Sequence, residues 1–408
     1  MTLEAQPAAP STGVCASAIE RPAARVASYV PGLDALRFFA ASIVTVYHLA
    51  FWAWAYPQGQ VAQASKGVAG FPQWDEFASG GWAGVQIFFV ISGFVIATSS
   101  ERATALKFLQ SRFVRLVPGV LVCATITLLA WYCIGVETSY EHWYAYLRSV
   151  AFMPTPPWID SVYWTLAVEI AFYTIIFLLL AMQRFEWLRP IACLLGLGSS
   201  SFWIVFTVFG TQGDTGLASV LHFVQWSRLG ELTLIKHGVF FAMGVLLWLR
   251  LIKKAPDTLP WIALFALGGC LQIAGETVFK FEKTGLAYSP LLPCAMWLGS
   301  VAWIWLATTH NDWICRAPAW LLQTLRRLGL MTYPLYLLHN VTGGALMGSL
   351  AHNGLPAAAA LWLAIAAVMA LAWWVSRTPE PALQKLAKRC FTSMSRADNA
   401  RARPAPYR

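Results

Sequence analysis

The apolar stretch LDALRFFAASIVTVYH carries two ionisable side chains, Arg37 and His48. Eleven residues make about three helical turns, which sets the two on one face about 16 Å apart. A charge at mid-bilayer costs on the order of 3 kcal/mol, so residues of this kind are candidates for function. A cation at the inner membrane edge can hold phosphates, and a histidine deeper on the same face can act as a base. A donor with charged phosphates and a long flexible arm would then present its reactive end to the imidazole, and acyl-CoA has that shape. The competing structural reading is that Arg37 anchors the helix while His48 hydrogen-bonds a neighbour.

Other polar residues fall in comparable positions. Glu169, in YWTLAVEIAFY, lies roughly ten ångströms below the outer boundary. Tyr173 follows one turn later on the same face. A carboxylate at that depth can orient His48 or bind a hydroxyl. Ser92 and Gly93 fall mid-helix in GVQIFFVISGFVIATS, where small residues permit close backbone approach, and taken alone they read as packing. Arg112 and Arg115, in KFLQSRFVRLVPG, form a basic pair in a cytoplasmic loop that ends at Pro118, the expected start of the third helix. Such a pair suits the phosphates of a soluble donor or of lipids, or simply fixes topology. Trp164, Tyr173 and His339 are candidates for acceptor contact, whereas Glu231, His237 and Glu276 lie nearer the outer surface and read as solvated. No His/carboxylate cluster has metal-ligand spacing, so no metal is expected.

The elements that must position these residues are membrane helices. Of 408 residues, 58% are hydrophobic and 12% charged, against about 25% charged in a soluble domain. Apolar runs of spanning length occur near 33–55, 82–100, 117–137, 162–182, 188–209, 236–252, 259–278, 288–308, 329–350 and 357–376. The sequence thus predicts an all-α, polytopic bundle of about ten transmembrane helices. The least regular are 236–252, which is short, and 329–350, which Pro334 and Gly343-Gly344 interrupt.

Charge supports that count. With the N-terminus inside, the segments assigned to the cytoplasm hold 22 of the 29 Lys and Arg residues. The outer segments hold six: Lys66, Arg148, Arg228, Lys236, Lys280 and Lys283. The remaining one is Arg37, inside the first helix. This asymmetry predicts that both termini are cytoplasmic. It also explains the net charge of +10 without nucleic acid, because the basic residues sit in short loops and in the tail. The eight cysteines are scattered, without CxxC or zinc-ligand spacing, and read as small packing residues.

Residues 1–30 are rich in Ala and Pro and lack the apolar core of a signal peptide. They read as a disordered tail, residues 31–380 as one membrane domain, and 381–408 as a basic tail, disordered from about Thr392. Two long outer loops, 56–81 and 138–161, hold Trp74, Trp82, Tyr140, Trp143, Tyr144, Tyr146 and Trp158. These rings suit sugar stacking or interfacial anchoring. No internal repeat is visible, which weakens any analogy with inverted-repeat transporters.

In order along the chain, LDALRFFAASIVTVYH, FFVISGFVI, RFVRLVP, YWTLAVEIAFY, GLMTYPLYLLH and a late TPEP with Glu380 resemble the acyltransferase-3 family of bacterial membrane O-acyltransferases. The resemblance implies transfer of an acyl group, most often acetyl, from cytoplasmic acetyl-CoA or another acyl-CoA to a glycan at the outer face. It implies the bacterial inner membrane as location and functional weight for Arg37, His48, Ser92, Gly93, Arg112, Arg115 and Glu169. On this reading His48 is base or nucleophile, Glu169 its partner or the acceptor's, and Arg37, Ser92, Gly93, Arg112 and Arg115 bind the donor. The expected partners are acyl-CoA, a glycan acceptor and membrane lipids; a second copy of the chain in a homodimer is an open alternative. Two rival classes remain at this stage, a transporter or flippase for glycans or small anions, and a non-catalytic scaffold.

Overall fold

The computed structural model describes residues 29–135, 140–210 and 216–401. The expected N-terminal tail up to residue 28, and residues 402–408, lie outside the described residues. The described chain is an all-helical membrane bundle, and eight of its helical stretches are long and apolar enough to cross a membrane. In chain order the principal helices are α1 (Pro31–Val46), α2 (Ala83–Ser100), α3 (Ala105–Cys133), α4 (Trp164–Ala181), α5 (Leu188–Phe209) and α6 (Gly238–Leu251). They continue with α7 (Leu259–Thr284), α8 (Leu291–Thr309), α9 (Ala319–Leu338), α10 (Val341–His352), α11 (Ala357–Arg377) and α12 (Pro379–Arg401).

The two irregular runs of the sequence account for the difference between eight and about ten. Helix α6 has 14 residues, so it rises about 21 Å, less than the roughly 30 Å of hydrocarbon. It is apolar on all sides and almost wholly buried, with Phe240, Phe241, Met243, Leu246 and Leu247 at zero exposure. A helix of that kind belongs inside a bundle, and α6 packs chiefly on α2 and α5. The run at 329–350 divides at His339-Asn340 into α9 and α10. The break leaves helix-end amides without partners, and Asp160 supplies one. It accepts from the Val341 amide at 2.9 Å and from the Asn340 side chain at 2.7 Å.

Helix α3 differs from expectation at its start. It begins at Ala105, capped by Thr104, whose hydroxyl accepts from the Lys107 amide at 3.3 Å, and Pro118 lies inside it. The basic pair is therefore helical rather than in a loop. Twenty-nine residues span about 44 Å, longer than the hydrocarbon, so the first turns emerge and carry Lys107, Arg112 and Arg115. The C-terminal segment differs too. Helix α12 runs to Arg401 and packs along α3, so the residues just past Thr392 continue a helix rather than begin a tail.

The two long loops expected on the outer side contain the short helices Gln60–Ser65 and Tyr140–Val150. Gln60 ties the loops together by donating to the Trp158 carbonyl at 3.2 Å and accepting from the Ser161 amide at 2.5 Å. Their aromatic residues divide. Tyr140, Trp143 and Tyr144 are exposed, while Trp82 is buried beneath Lys280, 4.7 Å from its ring centre.

Candidate functional site

Six of the residues singled out in the sequence meet in one cavity of about 130 Å³: Arg37, Ser92, Arg112, Arg115, Glu169 and Tyr173. Helices α1, α2, α3 and α4 each contribute to it, and α9 closes it with Tyr333 and Tyr336. At one end Arg37 is held by Asp34, with Nη1 donating to Oδ1 at 3.0 Å, and Tyr29 donates to the other carboxylate oxygen at 2.6 Å. In mid-cavity the Ser92 hydroxyl donates to Glu169 Oε1. Ser92 is therefore a polar contact across α2 and α4.

Arg112 and Arg115 have no ion-pair partner among the described residues. Arg112 lies over the rings of Phe108 and Tyr173, at 5.6 and 5.8 Å, and Arg115 over Tyr333 at 5.3 Å. Aromatic faces hold a guanidinium without neutralising it. Two partly buried cations thus face a cavity with their anion-binding capacity unspent.

His48 does not line this cavity. Helix α1 gives way to a π-helical turn over Tyr47–Trp52, which contains His48, and turns of this kind recur at functional sites. The His48 ring meets His339, with His339 Nε2 3.0 Å from His48 Nδ1. Its partner is therefore His339, and of the two roles the sequence leaves open for Glu169, orienting His48 or binding a hydroxyl, direct contact with His48 is not the one seen. The remaining contacts fix the proton positions. His339 Nδ1 faces the carbonyls of Tyr336 at 2.7 Å and Leu335 at 3.3 Å. A carbonyl only accepts, so Nδ1 carries the hydrogen and neutral His339 presents Nε2 as an acceptor. His48 Nδ1 faces that nitrogen and the Val44 carbonyl at 3.1 Å, so it too is the donor. The proton-accepting lone pair of His48 is then on Nε2, which has no hydrogen-bond partner among the described residues. A neutral histidine held in that tautomer is a base.

The cavity and the histidine pair are neighbours. Tyr336 lines the cavity, its hydroxyl accepts from Thr165 at 3.1 Å, and its ring lies 5.5 Å from that of His339. From the arginines the polar residues therefore run through Ser92 and Glu169 to Thr165 and Tyr336, and then to His339 and His48.

Three candidates lie elsewhere. Gly93 is buried at the crossing of α2 and α6, where a Cβ would collide with the Phe241 carbonyl, so it serves close packing and does not line the cavity. Trp164 packs on His237, with ring centres 5.4 Å apart, and lies outside the cavity. His339 is fully buried against His48 rather than open to an acceptor.

Of the residues expected to be solvated, His237 and Glu276 are buried and Glu231 is partly exposed. His237 is 2% exposed and Glu276 7%. Lys236, equally buried, has its ammonium 3.5 Å from Glu231 and 3.7 Å from Glu276, and it donates to the Gln225 carbonyl at 2.9 Å. Hydropathy marks the end of a helix, but the helix Gly216–Trp226 and the loop after it cover this one.

Sequence inspection missed Asp160, Thr165 and Tyr336. Asp160 had a signal, an acidic residue immediately before the helical turn Ser161–Tyr163 that leads into α4, the usual pattern of a cap. Burial pushes its carboxyl up to about 6, against the pull of the donors from Val341, Asn340 and Val162.

The family described as "Acyltransferase domain" matches residues 30–377. Among curated proteins, the chain is 33% identical over 108 residues to O-acetyltransferase OatA of Staphylococcus aureus (strain NCTC 8325 / PS 47). That stretch is 24% of this chain and 14% of the relative. It is 32% identical, also over 108 residues, to peptidoglycan O-acetyltransferase OatA of Listeria monocytogenes serovar 1/2a, covering 25% and 14%. The alignment thus spans a small part of these relatives' length. No solved structure matches.

Proposed function

Because this chain belongs to the acyltransferase family matched over residues 30–377, we propose that it transfers an acetyl group from cytoplasmic acetyl-CoA to a hydroxyl of a cell-surface or exported glycan. The observation that carries this reading is the His339–His48 pair, which leaves His48 Nε2 free as a base next to a cavity with two uncompensated arginines. The glycan acceptor is supported by the relatives' names, O-acetyltransferase and peptidoglycan O-acetyltransferase.

Arg112 and Arg115 hold donor phosphates through charge-assisted bonds, and the thioester arm rises past Ser92 and Glu169 toward Tyr336. His48 Nε2 takes the proton of the acceptor hydroxyl as its oxygen attacks the thioester carbonyl. The C–O ester bond forms, the C–S bond breaks, and the sulfur leaves as free CoA thiol once it recovers that proton from the imidazolium. His339 is a positioning residue, because its lone pair accepts from His48 Nδ1 and fixes the tautomer. The chain lies in the bacterial inner membrane with its arginine-bearing end and both termini cytoplasmic, a placement supported by the asymmetry of Lys and Arg.

The test uses purified full chain, acetyl-CoA and peptidoglycan fragments. Free thiol should appear in step with a mass gain of one acetyl group on the glycan. No thiol with any glycan acceptor, together with glycan or anion flux in liposomes, would replace this reading with transport.

A further inference from the structure

Arg115 faces two cavities. One is the narrow cavity of the arginine–Glu169 site; the other is a groove of about 640 Å³ between the first turns of α3 and helix α12. Lys107 from α3 and Lys388 from α12 line the groove, both exposed, and Phe391 adds an aromatic wall braced edge-on against Phe113 at 5.5 Å. The acid lining it, Glu380, is buried and accepts from Gln384 Nε2 at 3.0 Å. The groove therefore offers three cations, an aromatic face and one acid already hydrogen-bonded.

Building on the donor assigned above, we infer that this groove holds the phosphorylated nucleotide end of acyl-CoA, making α12 part of the donor site. The two volumes divide the donor by shape. The bulky end of the molecule fits only the larger space, and the thin pantetheine arm suits the narrower one. Arg115 is the junction, where the phosphates meet the arm. Lys107 and Lys388 complete the phosphate contacts, and the Phe391 ring gives adenine a surface to stack on. A lipid phosphate would satisfy the same lysines, but it would need neither the ring nor the connection at Arg115.

The decisive comparison is between acetyl-CoA and S-acetyl-pantetheine, which lacks the nucleotide, using full-length protein. Lys107→Glu with Lys388→Glu should lower kcat/KM for acetyl-CoA about tenfold or more, through KM. The same variant should keep wild-type kcat/KM with S-acetyl-pantetheine. Phe391→Ala should act in the same direction to a smaller degree, and adenosine 3′,5′-bisphosphate should compete with acetyl-CoA in the wild type. An equal loss with both donors, as for a lipid or structural role, or no loss with either, would overturn the groove while leaving the donor assignment intact. A wild-type protein that neither binds nor uses acetyl-CoA would overturn both.

Discussion

The molecule contains two groups of buried or partly buried charges that resolve in opposite ways. In the outer group Lys236 is shared between Glu231 and Glu276 and donates to a carbonyl. In the inner group Arg112 and Arg115 rest on aromatic rings and have no acid partner among the described residues. A buried charge with its counter-charge supports the fold, and removing one partner strands the other. A cation held without an acid, facing a cavity, keeps its capacity for charge-assisted bonds to an anion. Burial alone therefore does not distinguish a structural charge from a functional one. Pairing does.

The sharpest way to break this contrast is to remove the inner cations together. Arg112→Ala with Arg115→Ala should raise the donor KM about 100-fold, two charge-assisted bonds' worth, with the thermal midpoint in detergent close to wild type. A collapse of stability instead would make the inner group structural as well.

His339→Ala tests the histidine pair. It should lower kcat about tenfold with little change in KM, since His48 Nδ1 keeps the Val44 carbonyl but loses its second acceptor. His339→Gln, whose amide oxygen can accept from Nδ1, should recover part of the rate, which a purely space-filling role would not require.

The outer group predicts the reverse pattern. Lys236→Met removes the ion-pair partner of Glu276, while Glu231 keeps Arg228, and should cost about 3 kcal/mol of stability, read as a lower thermal midpoint. The protein that remains folded should keep its kcat/KM.

The smallest effect concerns Asp160. Its carboxyl is about 6 when folded and near the ordinary 3.8 when unfolded, so between those values the folded chain holds a proton that the unfolded chain has lost. Stability from this group is therefore greatest at the acid end and falls as pH rises through about 4 to 6. The difference in thermal midpoint between wild type and Asp160→Asn should change across that window and level off above it.

The sequence reveals the bundle well because hydropathy is a local property. The two runs it marks as irregular are the short core helix α6 and the α9–α10 break. The inner cavity was also largely legible, since Arg37, Ser92, Arg112, Arg115, Glu169 and Tyr173 all line it. What could not be read was pairing across helices. His339 lies 291 residues from its partner His48, and nothing in the spacing between them indicates contact. The helical extension of α3 was hidden for a different reason, because a helix that leaves the bilayer loses the apolar signal that identifies it. Gly93 illustrates the converse, a residue beside a cavity-lining serine whose own task is packing.

The central claim is that His48 Nε2 is the base for acyl transfer from acetyl-CoA, and one assay addresses it directly. Thiol release from acetyl-CoA, in the presence of a peptidoglycan acceptor, is compared between wild type and a folded His48→Ala variant. The account predicts acceptor-dependent release by the wild type and a loss of about 100-fold or more in the variant. Equal release by the two proteins would contradict it.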